Sequence, residues 1–315
     1  MDNVSIVMAT YNGEKYLREQ IESILSSTYK DFELHIADDG SQDKTMEILE
    51  QYRRKYPGKI HIKRNEANMG AARNFLNAVM GMTSEYIMLC DQDDVWRMDK
   101  IARAIKRVKQ MEVQFGKDTP IAVFTDAYVT DENLNIIHDS FFRSCRLNPR
   151  LTDLPHLLME NKLIGCTVMI NQAVLRILQS GPLPARVKFH DHWLGLIAAS
   201  AGRIGFIKEP TMLYRQHGSN VVGNRGYISY VADRVSNIRK QRKSLMELYM
   251  QAEEFAFLYG SHIEKGNLEM NLKITREEYE LAINSYLVEI RKVVYDCLSE
   301  AGLGPNDIEI VVLSG

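Results

Sequence analysis

VSIVMATYNGEKYLREQIESIL, residues 4–25, passes from an apolar, β-rich run (Val4 to Ala9) through a polar turn into a segment with Leu17, Ile21, Ile24 and Leu25 at helical spacing. Asn12 stands where it could cap that helix. Strand followed by amphipathic helix is the repeating unit of an α/β protein, and here it recurs. FELHIA (32–37) precedes the turn-rich DDGSQDKT (38–45), where Asp43 can cap a helix carrying Ile48, Leu49 and Tyr52 on one side. IHIKR (60–64), a helix near 71–81, YIMLC (86–90), a helix with Ile101, Ile105 and Val108, and IAVFT (121–125) continue the series. The alternation predicts an α/β fold, a Rossmann-like, mostly parallel central sheet with helices on both faces.

Composition fits an ordinary globular protein of one or two domains: 315 residues, 45% hydrophobic and 25% charged. With 39 basic against 41 acidic residues, a net charge of -2 gives no general drive toward nucleic acid, so any polyanion must be held locally. Cys90, Cys145, Cys166 and Cys297 lie far apart, without C-x-x-C spacing, and read as buried thiols in a reducing compartment. The opening MDNVSIVMATYNGEKYL has neither the basic start nor the apolar core of a signal peptide, and no apolar run approaches the ~18 residues of a membrane span. The expected location is cytoplasmic.

Each expected strand hands over, at its C-terminal end, to a loop rich in hydrogen-bonding groups. Thr10 and Asn12 follow the first, Asp38 and Asp39 the second, Asn65 and Asn68 the third, Asp91 and Asp93 the fourth, and Asp126 the fifth. Ligands of open α/β sheets bind at that edge, so these residues are expected to converge. Taken singly, an acidic residue such as Asp43 or Asp94 reads as a helix cap or turn former. Neither a P-loop nor G-x-G-x-x-G follows the first strand, which argues against a P-loop nucleotidase and a Rossmann dehydrogenase. A diphosphate can instead be held by Mg2+ or Mn2+, hard cations that one or two carboxylates position, and Asp91-x-Asp93 supplies those carboxylates.

VSIVMATYNGEKYLREQIESIL, IADDGSQDKT (36–45) and MLCDQDDVWRMDKI (88–101) resemble, in order, the family 2 glycosyltransferases, which have the GT-A fold and transfer sugars from nucleotide donors. CDQDDVW (90–96), FHDHWLGLIAASAGRIGFI (189–207) and YRQHGSN (214–220) further resemble the rhamnosyltransferase-like branch, whose usual donor is dTDP-L-rhamnose. The resemblance implies that Thr10 and Asn12 line the nucleotide pocket, Asp39 reads the pyrimidine edge, Arg73 assists near the base, and Asp91 meets the ribose or the metal. It implies Asp93 as principal metal ligand, Asp191 as the base that deprotonates the acceptor hydroxyl, and Arg215 and His217 as contacts to diphosphate or metal. Structural roles for Arg215 and His217 stay open, Asp94 reads as ordering the turn, and Trp96 as packing under the loop. A zinc site from His190, Asp191 and His192 is the rival for that segment, although residues two apart do not share a helix face. Residues 138–171 read as an insertion that the family uses to shape the acceptor side, with apolar residues that serve a core equally well.

The expected organisation is a glycosyltransferase domain over 1–225, a helical extension over 226–263 and an appendage over 264–315. A long helix, about 228–259, carries Arg234, Arg239, Lys240, Arg242 and Lys243, either a solvated face or a surface for an anionic membrane where lipid-linked glycan acceptors reside. Residues 268–315 resemble a fragment of a DnaK-type chaperone nucleotide-binding domain, with Arg276 and Glu277 on the adenosine-contacting helix and Gly315 at a phosphate turn; the remaining phosphate loops are absent from the chain. The functional expectation is a metal-dependent inverting glycosyltransferase, using dTDP-rhamnose, that extends a cell-wall or surface glycan. The alternatives are the same fold with another UDP- or dTDP-sugar, or a nucleotide-binding interaction module without turnover.

Overall fold

The computed structural model describes residues 3–217 and 238–262, with side chains from 246 onward in the second segment. Five strands match the apolar runs expected from sequence: β1 (Val4–Thr10), β2 (Phe32–Asp38), β3 (Ile60–Arg64), β4 (Tyr86–Cys90) and, after the two-residue β5 (Val95–Trp96), β6 (Ile121–Thr125). Between them lie α1 (Leu17–Leu25), α2 (Thr45–Lys55), α3 (Ala71–Met80) and α4 (Lys100–Phe115). The chain continues through β7 (Tyr128–Thr130), β8 (Ile136–His138), α5 (Phe141–Cys145), α6 (Leu154–Met159), β9 (Met169–Asn171), α7 (Gln172–Gln179), α8 (His190–Ala201), β10 (Arg203–Ile207) and β11 (Met212–Arg215) to α9 (Ile238–Tyr259).

The central sheet has the order β10-β6-β9-β4-β1-β2-β3, parallel throughout except for β9, which runs antiparallel to both β4 and β6. β4 and β6 are buried along their whole length, as near-continuous apolar strands in a covered sheet should be. The segment expected to be an insertion therefore ends in a central strand. Its last residue, Asn171, accepts the Val174 N–H as cap of α7, accepts the Ile121 N–H at 3.0 Å and donates to Thr119 O at 2.9 Å, which fixes β9 beside β6. A second sheet, β5-β11-β7-β8, stands beside the loop that leaves β4.

Asn12 does not cap α1. It takes a left-handed backbone (φ 48°) and accepts the Gln42 N–H at 2.9 Å, tying the β1 turn to the β2 turn. Asp43 lies just ahead of α2 and accepts both the Thr45 and the Glu14 N–H groups. α8 is buried almost all round, with Trp193, Leu194, Leu196 and Ile197 inaccessible to solvent. α9 covers one side of it: Phe255 and Tyr259 meet the Trp193 ring edge-on at 5.6 and 6.0 Å. Cys90 and Cys166 are buried free thiols, as expected, whereas the free thiol Cys145 is only half-buried. Cys297, the 225/226 boundary, Arg234 and the whole chaperone-like segment lie outside the described residues. Arg239, Lys240, Arg242 and Lys243 fall on the first part of α9, where the helix alone is described. No helix among the described residues is long and apolar enough to cross a membrane.

Candidate active site

The turns after β1, β2 and β4 meet at one edge of the sheet. Gln92, between the two aspartates of Asp91-x-Asp93, accepts the Tyr11 N–H at 2.9 Å and donates to Tyr11 O at 3.0 Å, which locks the β4 loop onto the β1 turn. Gly13 lets this pairing form, since a Cβ there would stand 2.2 Å from the Gln92 amide oxygen. Thr10 donates its hydroxyl to Asp38 at 3.0 Å, and Asp38 also accepts the Ser41 N–H and hydroxyl, so the first strand-end aspartate is spent on the turn itself.

Asp39 is buried and both its oxygens are engaged. They accept the Asn65 side-chain amide at 2.8 Å, the Met69 N–H at 3.0 Å and the Gly70 N–H at 2.9 Å. A pyrimidine edge read by Asp39 would have to share these oxygens, and the residue stands in the structure as the clamp of the 65–70 loop. That loop leads, through Gly70 at φ 81°, into α3, whose first turn presents Arg73 to solvent.

The second sheet brings the C-terminal motif to the aspartates. β11 pairs antiparallel with β5, so Arg215 ends its strand beside Asp93 and Asp94. The Arg215 N–H donates to Asp94 at 3.0 Å, its Nε donates to Asp93 O at 2.8 Å, and its remaining donors reach Glu132 O and the Glu19 carboxylate. The guanidinium also lies 4.4 Å over the Tyr16 ring. Only 3% exposed, it holds the loop, the structural role that the sequence left open beside a diphosphate contact. Two residues on, His217 Nε2 lies 2.8 Å from Asp93 Oδ2, so two of the expected metal ligands do converge.

Asp91 lies near enough to feel the charge of Asp93, but among the described residues its ligand atoms group with Asp94 and Cys166 rather than with Asp93 and His217. Burial, followed by the charges of Asp93 and Asp191, pushes its carboxyl up to about 7. Asp94 behaves likewise: burial and the neighbouring Asp93 and Asp91 raise it well above the usual carboxylate range. Asp91, Asp94 and the Cys166 thiol place ligand atoms within 4.8 Å of one another. Beneath them Lys100 is fully buried, its Nζ 4.7 Å from the Trp96 ring centroid and 3.1 Å from Met212 Sδ, and burial lowers it to about 8. Trp96 thus packs under the loop as expected. Carboxylate oxygens from Asp91 and Asp93 suit Mg2+ or Mn2+, the His217 imidazole favours Mn2+ of the two, and a cation there would relieve the carboxylate repulsion that adds to burial in raising Asp91.

Asp191 enters from the first turn of α8. It is 7% exposed, accepts the Asn161 side-chain amide at 3.0 Å and its neighbour's N–H (His192) at 2.8 Å, and faces Asp91 closely enough for the two charges to interact. The flanking histidines point elsewhere. His190 stacks on Phe75 with centroids 3.8 Å apart, and His192 bridges Leu157 O and the Gln251 side chain, so these residues do not form a zinc site. Nor does Asp126 join the group: its oxygens are taken by the Ala127 and Phe141 N–H groups and the Ser140 hydroxyl. Gln92, Asn161, Glu132 and Lys100 were not singled out by sequence reasoning. Only Gln92 carried a signal, its place inside the aspartate motif.

A mostly parallel sheet with this aspartate loop at its edge and a second small sheet beside it is the GT-A architecture. The chain belongs to glycosyl transferase family 2, whose family model matches residues 5–168. It is 30% identical over 226 residues to the dTDP-rhamnosyl transferase RfbG of Shigella flexneri, covering 69% of this chain and 73% of that one. The putative teichuronic acid biosynthesis glycosyltransferase TuaG of Bacillus subtilis is 25% identical over 223 residues, with 70% and 82% covered. Among solved structures, S. aureus TarS 1-349 in complex with UDP-GlcNAc superimposes with a TM-score of 0.53 at 18% identity over 88% of this chain and 77% of that one. The mannosyltransferase PcManGT of Pyrobaculum calidifontis, in complex with GDP-Man and Mn2+, does so with a TM-score of 0.53 at 16% identity over 96% and 81%.

Proposed function

We propose that this glycosyltransferase moves L-rhamnose from dTDP-L-rhamnose, with inversion, to a hydroxyl of a growing cell-wall or surface polysaccharide. The relationship to a dTDP-rhamnosyl transferase supports the donor, and the relationship to a teichuronic acid enzyme supports a polymeric acceptor. The observation that supports the chemistry is that Asp191, from α8, lies near enough to Asp91 for their charges to interact, while Asp93 in the same loop pairs with His217.

Asp93 and His217, with Asp91 in the same loop, would hold the Mg2+ or Mn2+, which would neutralise charge on the departing nucleoside diphosphate as a Lewis acid. The nucleotide lies along Thr10 and Asn12, with Arg73 near the base and the Asp39-clamped loop as wall. Arg215 keeps the Asp93 carbonyl and the Asp94 carboxyl in place. In an inverting displacement the acceptor oxygen attacks from the face opposite the leaving group, so its proton needs a base on that face. Asp191 serves, with Asn161 aiming one oxygen of its carboxylate. The acceptor is a glycan or lipid-linked glycan, met in the cytoplasm at the inner face of the membrane, with the basic start of α9 as a contact to anionic lipid. Residues 264–315 take no part in transfer.

Incubation of the purified chain with a panel of UDP-, dTDP- and GDP-sugars, with and without Mn2+, followed by mass spectrometry, tests the reading. Metal-dependent consumption of dTDP-rhamnose above the other donors is expected. Preference for another sugar would replace the donor, and absence of turnover with any of them, despite nucleotide binding, would leave a binding module.

A further inference from the structure

Away from the catalytic edge, β2 and the edge strand β3 run parallel with His35 directly opposite His61. Residues two apart on a strand share a face, so Glu33 lies on the same side as His35, and the in-register His61 joins them. The two imidazoles stack with centroids 4.7 Å apart and planes inclined by 17°. Both turn the same ring nitrogen to one carboxylate oxygen: His61 Nε2 is 3.1 Å and His35 Nε2 3.4 Å from Glu33 Oε2. One ligand atom from each residue therefore falls within 4.8 Å of the other two. The group is reachable from solvent, the side chains of Glu33, His35 and His61 being 42%, 23% and 45% exposed.

We propose that Glu33, His35 and His61 form a second metal site, for a borderline first-row cation of the Zn2+ class, distinct from the site at Asp93. The donor set decides the class. Two imidazole nitrogens and one carboxylate are three protein ligands of the kind Zn2+ takes with a fourth position left to water, whereas Mg2+ favours an oxygen shell. The backbone presets the arrangement, since strand pairing fixes His35 against His61 and the strand period fixes Glu33 beside them. A cation held there bridges the edge strand to its neighbour. Those strands end in Asp38 and Arg64, and Arg64 Nη2 donates to Ser41 O at 2.9 Å, so the bridge fastens the two strands that support the turn after β2.

Zinc chloride titrated calorimetrically into the full chain, with Mg2+ in large excess to occupy the catalytic loop, tests this. One saturable zinc site per chain is expected, weakened at least about 10–100-fold by His61→Ala or His35→Ala, since even an outer-shell partner is worth that much. Asp93→Ala should bind zinc as the parent does. The melting temperature should rise with zinc in the parent and in Asp93→Ala, and stay flat in His61→Ala, an exposed position whose loss leaves the strand paired. Absence of a saturable site, parental affinity in both histidine variants, or loss of zinc binding in Asp93→Ala would each overturn the proposal.

Discussion

Asp191→Asn separates a base from a structural carboxylate, because the site sets the two costs apart. In the native arrangement one oxygen of Asp191 accepts the His192 N–H and the other accepts the Asn161 amide, while Asn161 Oδ1 is itself occupied by the Leu163 N–H. An amide at position 191 can keep only one of those two bonds, whichever way it is turned, and the loss is worth about 1 kcal/mol. Removing a negative charge from the first turn of α8 adds about 0.3–1 kcal/mol. The folded state should therefore weaken by about 1–2 kcal/mol, a shift of a few degrees in melting temperature for a domain of this size. Loss of general-base assistance is larger, ~10²–10⁴ in rate, or about 2.7–5.4 kcal/mol at about 1.36 kcal/mol per tenfold. Donor affinity, measured calorimetrically with the nucleoside diphosphate, should stay within a few-fold of the parent while transfer collapses. Turnover within about threefold of the parent at a temperature where both are folded, or retention of anomeric configuration in the product by NMR, would refute the assignment.

Asp93→Ala and His217→Ala should each abolish the Mn2+-dependent tightening of nucleoside diphosphate binding, and calorimetry showing the parental metal effect in either variant would remove that residue from the ligand set. Asp91 should give the metal-free protein a pH signature: its carboxyl is raised to about 7 in the folded chain, so its contribution to stability is complete below about pH 4 and is lost as pH rises toward and through 7. Melting curves in chelator should consequently fall between pH 5.5 and 7.5 more steeply for the parent than for Asp91→Asn, and equal slopes would contradict the raised value. Arg215→Ala should destabilise by roughly 1–3 kcal/mol, since it takes the guanidinium from the Asp93 and Glu132 carbonyls while its ion-pair partner Glu19 is exposed, and an unaltered melting curve would favour the ligand contact instead. A chain ending at Lys265 should retain donor hydrolysis and transfer, and unfolding of the remainder would move the domain boundary.

How far the sequence could be read depended on whether a residue's partner was close to it. β1, β2, β3, β4 and β6 were legible because each is an apolar run followed by a helix with its own period. β9 was not, since three residues, Met169–Asn171, carry no period and acquire their place only when β4 and β6 receive them. The aspartate loop was legible from the spacing of Asp91 and Asp93. Arg215 was legible as a charge but not in its direction, because its partners Glu19, Asp93 and Glu132 arrive from three separate segments. Asp126 deceived for the same reason, its true partners lying in the Ser140–Phe141 turn. The two histidines beside Asp191 looked like one feature, yet one stacks on Phe75 and the other meets Gln251 from α9.

The antiparallel strand at the middle of the sheet also dictates the order of assembly. β4-β1-β2-β3 can pair as soon as residue 90 has been made, but β6 has no hydrogen-bonded neighbour in that group, and its two partners, β9 and β10, come far later in the chain. Until Met169–Asn171 are synthesised, the nascent protein carries a four-stranded fragment ending in β4 and an unpaired β6, both largely apolar and open to pairing with other chains. Non-local closure of this sort is slow. Three residues thus time the joining of β6 to the rest of the sheet, and a substitution that weakens them, even one far from the sugar site, should be felt first as poor yield during synthesis, when the unsealed edges persist longest.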